Sequence, residues 1–225
     1  MSTLGERNSG MGMTGPRTRA RMVERLREQG IRDEIVLEAM LAVPRHVFID
    51  EAIASRAYED TALPIGYGQT MSQPYIVARM TELVRAGRRP GNVLEIGTGC
   101  GYQTAVLARI AEAVYSVERI APLAAKARQT LASLRQANVR IKNADGSALS
   151  DVDLTFDAII VTAAAKYVPQ EWTRLLNPGG KLVLPLATGG TDQQHLVVIT
   201  RTEAGTRQEQ FEAVRFVPLL PGLSG

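Results

Sequence analysis

The sequence predicts an α/β domain built on a mostly parallel sheet, and three observations carry the prediction. Val93-Leu94-Glu95-Ile96-Gly97-Thr98-Gly99-Cys100-Gly101-Tyr102 reads as an apolar strand, a glycine turn and the start of a helix. That is the first half of a Rossmann-like, nucleotide-binding βαβ unit. Strand and helix patterns then alternate to about residue 186. Past that point strands follow one another, at His195–Thr200 and through Phe211, Val214, Phe216 and Val217, so antiparallel strands are expected near the C-terminus.

In order, residues 1–16 are rich in Gly, Ser, Thr and Met and read as a disordered leader. Arg17 to Gln29 carries Met22, Val23 and Leu26 on one helical face, with Gly30 as its stop. Asp33 suits the N-cap of a second helix, faced by Val36, Ala39, Met40 and Val43 and ended by Pro44. His46 lies among apolar residues and reads as a structural, hydrogen-bonded histidine. Residues 59–73 read as a polar loop running into an amphipathic helix with Ile76, Val77, Met80, Leu83 and Val84 on one face. Ser72 is expected to cap that helix, and a polar loop ending on a helix N-terminus suits an anion.

After the glycine turn and its helix, Val114–Glu118 reads as a second strand and Pro122 to about Ala137 as a helix. Val139–Lys142 is a third strand running into Asp145-Gly146, either an adenine-framing pair or a simple turn. Phe156–Val161 is a buried fourth strand and Pro169 opens a short helix with Trp172. Asn177-Pro178-Gly179-Gly180 reads as a turn before a strand at Leu182–Leu186, and Gly189-Gly190-Thr191-Asp192 as a hairpin turn. The expected organisation is one domain over 17–225. It has an N-terminal helical extension and loop at 17–73, a ligand-binding core at 74–188 and antiparallel strands at 189–225.

Composition narrows the class. The 225 residues are 45% hydrophobic and 22% charged, ordinary for a globular chain, and no apolar run approaches a membrane span. Six arginines against three glutamates in residues 1–30 account for the whole net charge of +3. The rest of the chain is balanced, which argues against a nucleic-acid partner. Cys100 is the single cysteine, which suits a reducing cytoplasm, and no metal-ligand spacing occurs. The absence of a long exposed apolar stripe favours a monomer.

The glycines repeat as G-x-G-x-G at 97, 99 and 101, whereas the dinucleotide fingerprint wants its third glycine where this chain has Tyr102. Glu95, at the carboxyl end of its strand, is expected to face the ligand crevice and to suit a cation. Both features favour S-adenosylmethionine, a sulfonium without a pyrophosphate. Glu118 stands 21 positions after Gly97, where an acid accepts from both ribose hydroxyls.

Leu63-Pro64-Ile65-Gly66-Tyr67-Gly68-Gln69-Thr70-Met71-Ser72-Gln73-Pro74, the glycine motif, Val114–Glu118, Asp145-Gly146, Asn177–Pro185 and Val214–Leu219 together resemble the protein-L-isoaspartate (D-aspartate) O-methyltransferase family. The resemblance spans roughly residues 17–222; Ala144 and the longer leader depart from it. It implies a class I S-adenosylmethionine methyltransferase fold and S-adenosyl-L-homocysteine as product. It also implies isoaspartyl proteins or peptides as substrates, and Ser72 as the active-site residue. On this pattern Gln69, Thr70 and Met71 close over the cofactor. Glu95, Gly97, Thr98, Gly99 and Cys100 shape its methionine end, Glu118 holds the ribose, and Asp145 and Gly146 the adenine. Val214–Leu219 would pair with substrate backbone in a strand-like manner. Rival readings are a methyltransferase for RNA or a small molecule, a nicotinamide oxidoreductase and a non-catalytic binding module.

Overall fold

A computed structural model describes residues 12–187 and 193–224 of the chain. Its seven-stranded sheet has the order β5-β4-β3-β6-β7-β8-β9. The strands are β3 (Asn92–Ile96), β4 (Ala113–Glu118), β5 (Val139–Asn143), β6 (Phe156–Val161), β7 (Leu176–Ala187), β8 (Gln194–Thr202) and β9 (Gly205–Val214). The first five pair in parallel, and β8 and β9 join antiparallel. The expected mixed sheet is therefore present. The hairpin turn expected at 189–192 lies outside the described residues, although the strands on either side of it pair.

Period-two alternation splits the core between the faces of the sheet. Val93, Ala158, Ile160 and Val183 pack with residues of α1 (Pro16–Glu28), α2 (Glu34–Ala42), α3 (Pro74–Arg85) and α4 (Tyr102–Ile110). Leu94, Ile96, Ile159, Val161, Leu182 and Leu184 face the other way, towards Trp172 in α6 (Gln170–Arg174). The remaining helix, α5 (Ala121–Ser133), stops short of the expected Ala137, with Arg135 in the left-handed region at φ 56°.

Other local expectations are corrected. Residues 1–11 lie outside the described part, but Gly12–Thr14 form a 3-10 turn and α1 starts at Pro16, inside the expected leader. The polar loop contains a small hairpin, β1 (Leu63–Gly66) and β2 (Gln69–Met71). Its two linking residues, Tyr67 and Gly68, both have positive φ (54° and 68°), as the tight turns that suit strand twist require. Asn177–Gly180 is a bulge inside β7 rather than a turn before it, since Leu176 pairs with Phe156 and Lys181 with Ala158. Asp33 caps α2 as expected, accepting from the Ile35 N–H. His46 is structural, its Nδ1 2.7 Å from the Tyr58 hydroxyl.

Ser72 does not cap α3. Gln73 is the N-cap residue, with extended backbone (φ −58°, ψ 150°) and no side-chain cap bond. Proline at N1 explains the shift: it needs no N–H partner, and it drives the residue before it into the extended region.

Candidate active site

The strand order turns back between β3 and β6, and ligands of open α/β sheets bind outside the carboxyl ends of the strands at such a point. A crevice opens there, with about 950 Å³ of empty space including its mouth and about 90 Å³ open to the centre of a water molecule. Its floor is the backbone of the glycine turn. Gly97, Gly99 and Gly101 all have positive φ, and a Cβ on Gly97 would run into the Thr162 hydroxyl at the end of β6. That hydroxyl donates 2.6 Å to the Gly97 carbonyl and so fixes the turn to the neighbouring strand. A side chain on Gly97 is thus excluded twice over, by its conformation and by its neighbour.

Ten of the twelve residues singled out from the sequence line this crevice: Gln69, Thr70, Met71, Ser72, Gly97, Thr98, Gly99, Cys100, Glu118 and Gly146. The β1–β2 hairpin brings in the first group, and the Ile65 side chain would lie 3.3 Å from a Cβ on Gly99. Gly146 is pinned from behind by Trp172, whose indole N–H donates 2.9 Å to its carbonyl. Glu118 is buried to 5% exposure, and its two oxygens accept from the N–H groups of Gly99 (2.7 Å) and Ile120 (2.9 Å). Each carboxylate oxygen has a second acceptor site, so the group keeps capacity for a ligand's hydroxyls.

Glu95 and Asp145 stand apart from the lining. Glu95 lies on the same face of β3 as Val93, under α4, with no exposed surface. One carboxylate oxygen takes the hydroxyls of Thr104 (2.5 Å) and Ser116 (2.6 Å); the other has no partner. The Ser116 hydroxyl in turn lies 2.6 Å from the Thr98 hydroxyl. This chain anchors the turn from below. Burial pushes the Glu95 carboxyl up to about 8 against the pull of the two hydroxyls, and the nearby Glu118 charge adds to the rise. The expectation that Glu95 meets a cation in the crevice fails because its side chain sits one step back from the strand end, covered by α4 and taken by Thr104 and Ser116.

Asp145 is occupied by protein. Its Oδ1 accepts from the N–H and hydroxyl of Ser147 (2.8 and 2.6 Å) and its Oδ2 from the Gly222 N–H (2.6 Å). Burial opposes its ionisation, but these bonds and the Arg119 charge outweigh it and hold its pKa below the usual range. Through Gly222 the residue fastens the C-terminal segment.

That segment leaves the sheet after Val214. Val217 accepts from the Ala164 N–H, Leu219 donates to the Ala164 carbonyl, and Val217–Leu220 close one side of the crevice. Phe216 donates its N–H to the Gln194 Oε1, and its carbonyl accepts from the Gln194 Nε2. The Phe216, Val217 and Leu219 groups used in these bonds are therefore not available for strand-like pairing with a substrate.

Among the described residues no cluster of potential metal ligands occurs and no helix is long and apolar enough to cross a membrane. Burial lifts the Cys100 thiol to about 11, which leaves it a protonated, inert wall residue.

Residues 17–223 match the family described as Protein-L-isoaspartate(D-aspartate) O-methyltransferase. The chain belongs to this family. Protein-L-isoaspartate O-methyltransferases of Methylobacillus flagellatus and Dechloromonas aromatica are 57% and 56% identical to it. The alignments cover 95% of this chain in both cases, and 96% and 98% of the relatives. A Plasmodium falciparum structure described as a protein-L-isoaspartate O-methyltransferase in complex with S-adenosyl-L-homocysteine superposes with a TM-score of 0.77. It is 25% identical, with 90% of this chain and 98% of that one covered. A second solved protein-L-isoaspartate O-methyltransferase gives a TM-score of 0.82 at 27% identity, over 91% of this chain and 67% of that one. In this protein-L-isoaspartate O-methyltransferase family member the glycine turn forms the floor of the crevice. The β1–β2 hairpin brings Gln69–Ser72 to the same crevice as that turn.

Proposed function

We infer that the chain is a repair enzyme that transfers a methyl group from S-adenosylmethionine to the α-carboxyl of L-isoaspartyl residues in damaged proteins or peptides. The resulting methyl ester closes to a succinimide. The observation that carries this reading is that Ser72, from the family-specific stretch, stands in one cavity wall with the glycine turn.

The cavity suits the cofactor. Bare backbone at Gly97 and Gly99 admits close approach, and Glu118 has acceptor capacity for ribose hydroxyls. Gly146 leaves room beside Ile96, whose methyl a Cβ there would strike. Gln69, Thr70 and Met71 would cover the group, with Thr98 and Cys100 beside its methionine end. When bound, S-adenosylmethionine supplies an electrophilic methyl on a sulfonium.

The chain's own residues then have a limited task. An unperturbed substrate carboxylate titrates near ~4 and is ionised at neutral pH, so no general base is required. Ser72 would donate its hydroxyl to one carboxylate oxygen and leave the other free to attack. Holding reactants in line can lower a barrier by as much as ~7–11 kcal/mol. Ile65, Met71, Val77 and Met80 in the lining exclude water and so strengthen the contacts that remain.

The flanking peptide would lie in a groove bordered by Lys166, His195, Val214 and Phe216, which shares Pro218 with the crevice. Side chains rather than an added strand would hold it, which suits varied flanking sequences. The reading also carries a cytoplasmic monomer that needs neither nucleic acid nor membrane.

Labelled methyl transfer to an isoaspartyl peptide, beside its normal aspartyl twin, tests the inference. Base-labile label in the isoaspartyl peptide alone is expected. Equal labelling of both, or of neither, contradicts it.

A further inference from the structure

Arg45 was not singled out by the sequence, and its surroundings are unusual for a cation. It sits in the 3-10 turn Arg45–Phe48 that follows Pro44 and has no exposed surface. Its Nε donates 2.7 Å to the Ala57 carbonyl and its Nη2 2.6 Å to the Ser72 carbonyl. The guanidinium carbon lies 4.7 Å from the Tyr102 ring centroid. Nη1 has no partner, and Arg45 joins no ion pair among the described residues.

A buried charge normally comes with an opposite charge, because desolvation is costly. Two carbonyls and a ring face compensate only part of it. Burial lowers the Arg45 pKa, yet a guanidinium stays protonated in proteins. The ionisable groups around it provide no anion at neutral pH, since burial lifts Tyr102 to about 12 and Cys100 to about 11. Ser72, Cys100 and Tyr102 all line the crevice while Arg45 does not, so the cation sits directly behind that wall.

We propose that Arg45 is a positioning residue that holds the Ser72 main chain and supplies the missing counter-charge for the substrate's α-carboxylate. The proposal rests on the isoaspartyl reading and names the charge that selects a carboxylate there. An incoming anion completes a pair whose cationic half has already been desolvated by folding. A neutral group of the same shape gains nothing from that field.

The test compares the binding of two peptides to the enzyme loaded with S-adenosyl-L-homocysteine. One has the isoaspartyl α-carboxylate and the other a carboxamide in its place. Wild type is expected to prefer the carboxylate by about tenfold to hundredfold, as for a desolvated charge pair. Arg45→Met should bring the preference to within about threefold of unity by the same argument, with S-adenosyl-L-homocysteine affinity kept. A preference unchanged in Arg45→Met, or equal weakening of both peptides, overturns the proposal. Arg45→Lys keeps the charge and loses the fork. It should keep the preference and lower kcat, and it decides the matter if Arg45→Met does not fold. Lost preference in Arg45→Lys counts against the proposal. If wild type methylates no isoaspartyl peptide, the parent reading fails instead, a result visible before any variant is made.

Discussion

Burial holds the Glu95 carboxyl protonated up to about pH 8, against an ordinary value of 4.5. The folded state therefore binds more protons than the unfolded one between those values. This group's contribution to stability is complete below pH 4.5 and is lost as pH rises through about 8. The loss is roughly 3–5 kcal/mol. Asp145 and Asp157, both shifted down from 3.8, act in the opposite sense and only on the acid side. Urea midpoints from pH 5 to 9 should fall for wild type and stay flat for Glu95→Gln; parallel slopes would count against a protonated Glu95. At the crevice, Ser72→Ala should lower kcat about tenfold to a thousandfold, as loss of one oriented donor does, with cofactor affinity little changed. Glu118→Ala should instead weaken S-adenosyl-L-homocysteine binding about tenfold or more, since it removes a charged acceptor. Isothermal titration beside kinetics separates the two, and a reversal of the pattern would exchange their roles. Glu118 was legible in the sequence because strand length and spacing place it. Arg45 was not, because its partners lie 12 to 57 positions away and only the fold assembles them.

The hairpin, the bulge and the C-terminal segment are the elements that shape the crevice. The hairpin escaped sequence reading because β1 and β2 have only four and three residues, and Tyr67 is an uncommon choice at positive φ. The Pro-Gly-Gly of the β7 bulge reads as a turn in the sequence. What keeps it in the sheet is Asp157, which accepts from Asn177 (2.8 Å) and from the Gly91 N–H (2.7 Å). Such a brace joins residues remote in sequence and leaves no local signal. The C-terminal segment closes one side of the crevice and is fastened by Asp145 to the Gly222 N–H and by Arg119 to the Gly222 carbonyl (2.9 Å). Asp145→Ala should loosen it and weaken S-adenosyl-L-homocysteine binding by about tenfold or less, because Leu220 is already half exposed. Truncation after Leu219 should produce the same weakening. Unchanged affinity in both variants would show that the segment is not part of the cofactor's enclosure.

The whole molecule is a parallel sheet whose reversal point, glycine turn and hairpin meet in one crevice. Alternation of strands and helices made the parallel part readable, and the run of strands after residue 186 made the antiparallel edge readable. Strand order was not readable, because it depends on which crossovers bury the most surface. Crossover handedness narrows that choice without fixing it. Depth along the strands then decided the fate of two acids on one face of the sheet, since Glu118 ends β4 level with the glycine turn and Glu95 pairs one step back, opposite Ser116. Glu118 reached the cavity, and Glu95 went beneath it to brace the turn through Ser116 and Thr98. The central claim is that the crevice holds the cofactor with its sulfur aimed at a substrate carboxylate beside Ser72. A crystal structure with S-adenosyl-L-homocysteine and an isoaspartyl peptide tests it most directly. It should show one α-carboxylate oxygen hydrogen-bonded to the Ser72 hydroxyl and the other facing the sulfur across the space of a methyl group. A carboxylate bound away from Ser72, or a cofactor bound outside the Gly97–Gly101 turn, would contradict it.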